Sequence, residues 1–138
     1  MLSNQIDICR KAFAEYVERK LHSAGKMQDN SFIIENMLLK LHHSMRVCGI
    51  AKRISNQETF SDNDKKVSYL CALFHDIGRF DQFIKFKTFL DSKSVNHAEF
   101  GYEILVNSDV LEGVDTEIRR IVVNCTRLHN RQNIPDET

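Results

Sequence analysis

Apolar residues recur at intervals of three and four along almost the whole chain, and this spacing places side chains on one face of an α-helix. The first such stripe contains Ile6, Cys9, Phe13 and Val17. The only proline, Pro135, stands close to the end, so no proline interrupts the helices that the preceding sequence predicts. No pair of segments has the alternating pattern of β-strands. The sequence therefore predicts an all-α fold.

A chain of 138 residues has the length of one domain, and we expect it to contain five to six helices. Gly25 is expected to end the first helix, and Asp29, Asn30 or Ser31 to cap the second. Further N-caps are expected at Ser61 or Asp62, at Asn96 and at Asp115. The second helix is apolar on two faces, which predicts a central position. Residues 79–96 are less regular, and no helix is predicted there.

The charge and the cysteines exclude several classes of protein. Nineteen basic residues balance nineteen acidic ones, which predicts no nucleic-acid or membrane partner. No apolar run approaches the ~20 residues of a transmembrane helix, and the first residues lack the form of a signal peptide. Cys9, Cys48, Cys71 and Cys125 lie far apart among apolar residues. We interpret them as buried hydrophobic residues of a cytoplasmic protein, rather than as disulfide or zinc-thiolate cysteines.

A histidine and an aspartate stand side by side where an apolar helical run ends, at His75 and Asp76. Neighbouring side chains on a helix diverge by about 100°, so the pair can share one metal ion only where the helix ends. We expect Gly78 to end it in a left-handed conformation. Further candidate ligands are His43, His97 and His129, which lie 32 residues before, 22 residues after and 54 residues after His75.

The alternative interpretation is that these histidines are ordinary hydrogen-bonded residues of the core. An unpaired imidazole beside an apolar stripe is costly, however, and one shared ion would satisfy all four histidines together. We therefore favour a metal site. Imidazole and carboxylate ligands suit Mn, Fe, Co, Ni or Zn, and oxygen ligands suit Mg, so the ligands do not distinguish these metals. The other two histidines, His22 and His42, are expected to lie outside the ligand set.

Four stretches of the chain resemble the HD superfamily of metal-dependent phosphohydrolases. They are LKLHHSMRV at residues 39–47, LFHDIGRF at 73–80, TFLDSKSVNHAEFG at 88–101 and LHN at 128–130. The resemblance covers about residues 35–131 and is closest to a bacterial subgroup with DIGRF-type and SVxH-type stretches. It implies a single HD-type helical domain.

The resemblance also implies roles for the candidate ligands. His43, His75 and Asp76 would bind a first divalent metal ion, with Asp76 able to bridge to a second. His97 and His129 match the additional histidines of members that bind two metal ions, including hydrolases of dinucleoside polyphosphates. One or two divalent ions are therefore the implied cofactors.

Two arginines and a series of phenylalanines flank these motifs. Arg46 and Arg79 are candidate substrate-binding residues, because a guanidinium group can hold a phosphate by paired hydrogen bonds. For Arg46 a solvated or salt-bridged arginine is an equal alternative. Phenylalanines recur every three residues at Phe80, Phe83, Phe86 and Phe89. We interpret them as a packing anchor for a loop rather than as a lid that stacks on a base.

The family closes its first metal site with a further aspartate on a helix after the last histidine motif. Asp136 lies too close to His129 to match it, and Asp109 and Asp115 precede that histidine. We therefore expect residues 1–138 to be a C-terminally truncated HD domain that binds metal weakly. Apolar surface exposed where the missing helix would pack is expected to favour a homo-oligomer.

These expectations lead to a metal-dependent phosphohydrolase, and the resemblance implies that it acts on a nucleotide-type phosphoester or a polyphosphate. Metal ions lower the pKa of bound water towards ~7, which supplies hydroxide at neutral pH. Asp76 is the expected catalytic residue, since it would orient this nucleophile and accept its proton. Two alternatives stay open. One is a degenerate HD domain that binds a nucleotide, a metal or a partner without turnover, and the other is a plain helical interaction module.

Overall fold

Six α-helices and one short 3-10 helix form the regular structure of residues 2–131, the part of the chain that this computed structural model describes. The helices are α1 (Leu2–Gly25), α2 (Asn30–Gln57), α3 (Asp62–Phe74), α4 (Gly78–Phe86), α5 (His97–Asn107) and α6 (Thr116–Leu128), and the 3-10 helix is Asp91–Lys93. These residues contain no strand, so the predicted all-α fold is confirmed. Pro135 and Asp136 lie outside the described residues.

Most of the predicted helix ends are confirmed. The side-chain oxygens of Ser61, Asn96 and Asp115 accept hydrogen bonds from backbone N–H groups in the first turns of α3, α5 and α6. Gly25 ends α1 as expected. Asp29 precedes α2 in a left-handed conformation with φ 62°, and its side chain makes no capping hydrogen bond. Backbone geometry rather than a side-chain cap therefore starts α2.

α3 lies at the centre of the fold. It packs against α1, α2 and α6, and its residues Leu70, Leu73 and Phe74 are at most 1% exposed. The predicted central position of α2 is confirmed in part: α2 packs against α1, α3 and α4, but Ile50 and Ile54 on its second apolar face are 46% and 48% exposed. Periodicity identifies an apolar face but does not show whether another element covers it.

A helix, α4, occupies part of the segment that the sequence predicts to be irregular. Phe80 and Phe83 are both buried, and the ring of Phe83 lies 4.5 Å from that of Phe89 in the following loop. These contacts confirm the interpretation of the phenylalanines as a packing anchor, although Phe86 is 41% exposed. A spacing of three residues is also a helical spacing, so the signal for α4 was present.

Gly78 begins α4 and does not end α3, so the expected left-handed ending is wrong. α3 ends at Phe74, and a short turn leads into α4. Glycine is needed at this position for a different reason. A Cβ atom on Gly78 would lie 2.5 Å from the carbonyl oxygen of His97 and 2.8 Å from the backbone nitrogen of Gly101. The first turn of α4 therefore touches the backbone of α5, which brings His97 close to the turn after α3.

The four cysteines are free thiols, with Cys9 and Cys48 buried and Cys71 and Cys125 partly buried. Burial raises the pKa of Cys9 and of Cys48 to about 11, so both are protonated thiols at neutral pH. This is the state expected of cysteines that pack as small hydrophobic residues.

Among the helices described here, none is long and apolar enough to cross a membrane.

Candidate metal centre

The five candidate ligands come from four parts of the fold that meet at the end of α3. His43 lies on α2, and His75 and Asp76 form the turn after α3. His97 is the first residue of α5, and His129 directly follows α6. Because α6 packs against both α3 and α5, the ends of these three helices converge. Residues that are distant in the sequence are thereby brought to one place.

Asp76 is the centre of this cluster and is 5% exposed. Its Oδ2 atom lies 3.4 Å from Nε2 of His43 and 3.4 Å from Nε2 of His75. Its Oδ1 atom lies 3.4 Å from Nε2 of His97 and 3.3 Å from Nε2 of His129. Each carboxylate oxygen therefore faces two imidazole nitrogens. The expected proximity of these five residues is confirmed, while their role as ligands stays a prediction.

In two of these histidines, a hydrogen bond made by Nδ1 fixes the direction in which Nε2 points. Nδ1 of His75 donates to the carbonyl of Ala72 at 2.6 Å, and Nδ1 of His129 donates to that of Thr126 at 2.7 Å. These carbonyls belong to the last turns of α3 and α6, where carbonyl groups lack helical partners. His129 thus makes the contact expected of a helix-terminal histidine and still presents Nε2 to the cluster.

The contact between the rings of His97 and His129 shows whether these imidazole nitrogens suit a bound metal ion. Nδ1 of His97 lies 2.8 Å from Oδ2 of Asp91, so in both neutral rings Nε2 carries the lone pair. The two Nε2 atoms are 3.0 Å apart. Two lone pairs at this distance repel each other unless a proton or a metal ion lies against both. A cation held by both Nε2 atoms would remove this repulsion, so these donors fit a metal ion.

Two overlapping groups in the described part of the chain could each hold an ion. One is His43, His75 and Asp76, and the other is Asp76, His97 and His129. In each group the ligand atoms lie within 4.8 Å of one another. Asp76 belongs to both groups, so its carboxylate would be a ligand in whichever group held an ion. Nitrogen and carboxylate donors in this ratio suit divalent transition metals.

The electrostatics of the cluster keep Asp76 ionised. Burial opposes ionisation, but the imidazole groups of His129, His75 and His97 around the carboxylate outweigh it and hold the pKa of Asp76 far below its usual range. Burial lowers the pKa of His43, and the charge of Asp76 offsets this only in part. For His75 burial also acts to lower the pKa, yet the hydrogen bond and charge of Asp76 raise it overall.

Asp91 supports the cluster from outside, and sequence reasoning missed it. Its Oδ2 accepts hydrogen bonds from Nδ1 and from the backbone N–H of His97. Its Oδ1 accepts from Nε2 of Gln82, at 3.0 Å, and Gln82 is fully buried. A carboxylate on the remote nitrogen of a metal-binding histidine fixes the tautomer and makes the ring a better ligand. A carboxylate six residues before a candidate histidine was the available signal.

The two arginines occupy different environments. Nη1 of Arg79 donates to Oε1 of Gln82, to the carbonyl of Phe89 and to Oδ1 of Asp91. This nitrogen is therefore engaged in holding the loop that carries Asp91. Arg46 is exposed, and its charge contributes to the lowered pKa of His43. Substrate binding by either arginine stays a prediction.

Lys40 is a further cation at the edge of the cluster that the sequence did not single out. Its ammonium lies over the ring of Phe89, 4.8 Å from the centroid. Burial lowers its pKa, as does the charge of Arg79, while the charge of Asp76 acts in the opposite direction. Lys40 precedes His43 by nearly one turn of α2, and this helical spacing was the available signal.

His22 and His42 are exposed, as expected for residues outside the cluster.

We expect Asp91→Asn to weaken metal binding about 10- to 100-fold, because asparagine keeps the shape but removes the charge that supports His97. Calorimetric titration with Mn²⁺ measures this directly. Asp109→Asn is the matched control, since Asp109 is exposed and outside the cluster. Equal metal affinities in the two variants would show that Asp91 does not support a ligand.

Comparison with protein families gives one result for this chain. A family profile described as HD domain matches residues 41–137, which is well over half of the sequence and includes all five residues of the cluster. Comparison with curated proteins and with solved structures gives no significant match.

Proposed function

The chain belongs to the HD domain family, whose members are metal-dependent phosphohydrolases, and on this premise we propose that it hydrolyses a nucleotide-type phosphoester or a polyphosphate. The observation that carries the proposal is the position of Asp76, whose two carboxylate oxygens each face two imidazole nitrogens. This arrangement would supply ligands for one or two divalent ions around the buried carboxylate of Asp76. The substrate class rests on the family.

Divalent ions bound by these residues would activate a water molecule as the nucleophile and neutralise the charge that develops on the phosphoryl oxygens. The chain itself would provide the ligands His43, His75, His97 and His129. Asp76 would accept a hydrogen bond from the attacking water and so direct its oxygen towards phosphorus. Its low pKa keeps it ionised at neutral pH, which suits this role and does not suit a general acid.

Positive charge at the edge of the cluster is available for the substrate phosphates. Lys40 and Arg46 lie on α2, on either side of His43, and the charges of both act on that histidine. Arg46 is exposed and can reach a ligand that approaches from solvent. We propose that these two cations contact the non-reacting phosphate oxygens. Arg79 would act mainly by holding Asp91 in place.

Two neighbouring histidines provide a matched test of the proposed function. His43→Gln should reduce metal-dependent phosphate release by more than about 100-fold, because losing a ligand costs at least as much as losing an outer partner of a ligand. His42→Gln should have little effect, since His42 is exposed and outside the cluster. The assay measures phosphate released from nucleoside triphosphates, dinucleoside polyphosphates and a chromogenic phosphodiester with Mn²⁺ or Mg²⁺.

The same assay separates hydrolysis from binding without turnover. Phosphate release that requires the metal and His43 supports the phosphohydrolase. Saturable binding of metal and nucleotide with no release from any substrate of the panel would instead support the degenerate HD domain. Equal release by the His42 and His43 variants would place the activity elsewhere.

A further inference from the structure

A pocket lies away from the metal centre, between α1, α2 and α3. It has a volume of about 570 Å³, within the roughly 300–1,000 Å³ typical of small-molecule sites. We call it the α1–α3 pocket. Its polar wall is formed by Arg10, Lys52, Asp62, Lys65 and Lys66, and none of the five residues around Asp76 lines it.

The α1–α3 pocket concentrates positive charge in a chain that is neutral overall. Four cationic side chains line it against one carboxylate, that of Asp62, which gives a local net charge of plus three. Among the described residues, no carboxylate oxygen lies within 4.0 Å of any of these four cationic groups, although six other basic residues form such ion pairs. The positive charge is therefore available to a ligand.

Lys66 is the most unusual of these cations because it is 6% exposed. Its aliphatic stem is packed between the helices, while the ammonium keeps access to the pocket that the side chain lines. Its charge acts on the Cys9 thiol of α1, so the ammonium lies at the junction of α1 and α3. A packed lysine that lines a cavity and has no carboxylate partner is an arrangement that suits an anion-binding site.

The remaining residues that line the α1–α3 pocket are mainly apolar. Ile6 from α1 and Met45 from α2 line it, together with Tyr69 from α3. The Tyr69 hydroxyl lies near the Cys48 thiol, and each group affects the pKa of the other, so α3 and α2 are close at this wall. The Tyr69 ring contributes apolar surface to the pocket. The pocket therefore combines a cationic part with an apolar part.

We propose that the α1–α3 pocket binds a small organic phosphate that carries a flat apolar group. A phosphate monoester carries close to two negative charges near pH 7, which matches several unpaired cations better than the single charge of a carboxylate does. Arg10 and the three lysines would contact the phosphate, and the apolar group would lie against Met45 and Tyr69. This site is separate from the metal centre and does not depend on hydrolysis.

Phenylphosphonate is a suitable probe, because it has the ring and the dianion but no phosphoester bond to hydrolyse. We would titrate it into the ¹⁵N-labelled full chain and follow the amide signals. Binding in the α1–α3 pocket should shift the amides of residues 45–56 and 62–69. Shifts confined to the amides around Asp76 and His97 would place the phosphonate in the metal centre and overturn the proposal.

Two variants test the cationic and the spatial parts of the site separately. Lys66→Met keeps the length of the side chain but removes the charge, and should weaken phenylphosphonate binding about 10-fold or more. Gly49→Leu should fill the pocket, since a Cβ atom there would meet no other atom within 4 Å. Lys26→Met is the control, because Lys26 is exposed and outside the pocket.

The outcomes are distinct. Binding that is weakened by both pocket variants and unchanged by the control supports the site. Equal binding in all four proteins would overturn it. Benzoate supplies the ring with a single negative charge, and inorganic phosphate supplies the charge without the ring. If either binds as tightly as phenylphosphonate, the assignment to an organic phosphate is wrong.

Discussion

Replacing Asp76 with alanine should lower metal-dependent phosphate release by about 100- to 10,000-fold, the range typical of losing a group that directs a proton or a nucleophile. The variant lacks the carboxylate that faces all four imidazoles, at 3.3–3.4 Å. It should also lose measurable Mn²⁺ binding, because both groups of candidate ligands contain Asp76. Initial rates and calorimetric titration with Mn²⁺ measure the two effects.

Asp64→Asn is the control for this variant, since Asp64 is exposed and lies in the first turn of the same helix, α3. The helical circular dichroism of the Asp76 variant should stay close to that of the wild type, because the cluster lies at helix ends and not within the hydrophobic core. Unchanged turnover in Asp76→Ala at saturating metal would rule out the proposed mechanism.

Replacing Gly78 with alanine should destabilise the fold by about 3 kcal/mol, the upper part of the usual range for overpacking. The new Cβ atom would lie 2.5 Å from the carbonyl oxygen of His97 and 2.8 Å from the backbone nitrogen of Gly101. Both neighbours are backbone atoms, so relief requires α4 and α5 to separate. That separation would also move His97 away from Asp76. Chemical denaturation measures the free energy of unfolding.

Gly49→Ala is the matched control on stability, because Gly49 lies within α2 and a Cβ atom there would meet no other atom within 4 Å. Alanine is the better helix former, so this variant should be more stable than the wild type by about 0.5–1 kcal/mol. If the two alanine variants had the same stability, the close approach of α4 to α5 would not constrain residue 78.

The helices could be predicted because local signals define them. Ser61, Asn96 and Asp115 can each cap a helix with their own side chains, and the apolar residues that follow supply the buried face. The start of α4 at Gly78 could not be predicted in this way, although the spacing of its phenylalanines is helical. Gly78 has the residue type of a helix end, whereas its actual role depends on His97 and Gly101, which come from another helix.

The candidate ligands were predictable for a related reason. Histidines beside apolar stripes are conspicuous, and His43, His75, His97 and His129 all lie around Asp76. Asp91 and Lys40 were missed because an aspartate in a loop and a lysine on a helix are common on protein surfaces. Only the folded chain shows that Asp91 holds Nδ1 of His97. A residue that supports a site is recognised by the contacts it makes in the folded chain. The spacing of residues in the sequence does not reveal these contacts.

The central claim is that the cluster around Asp76 holds divalent metal, and calorimetric titration of the purified chain with Mn²⁺ tests it most directly. We predict saturable binding of one or two ions per chain, which His42→Gln preserves and Asp76→Ala abolishes. If the wild-type chain shows no saturable binding, or if Asp76→Ala binds Mn²⁺ with the wild-type affinity and stoichiometry, the claim is wrong.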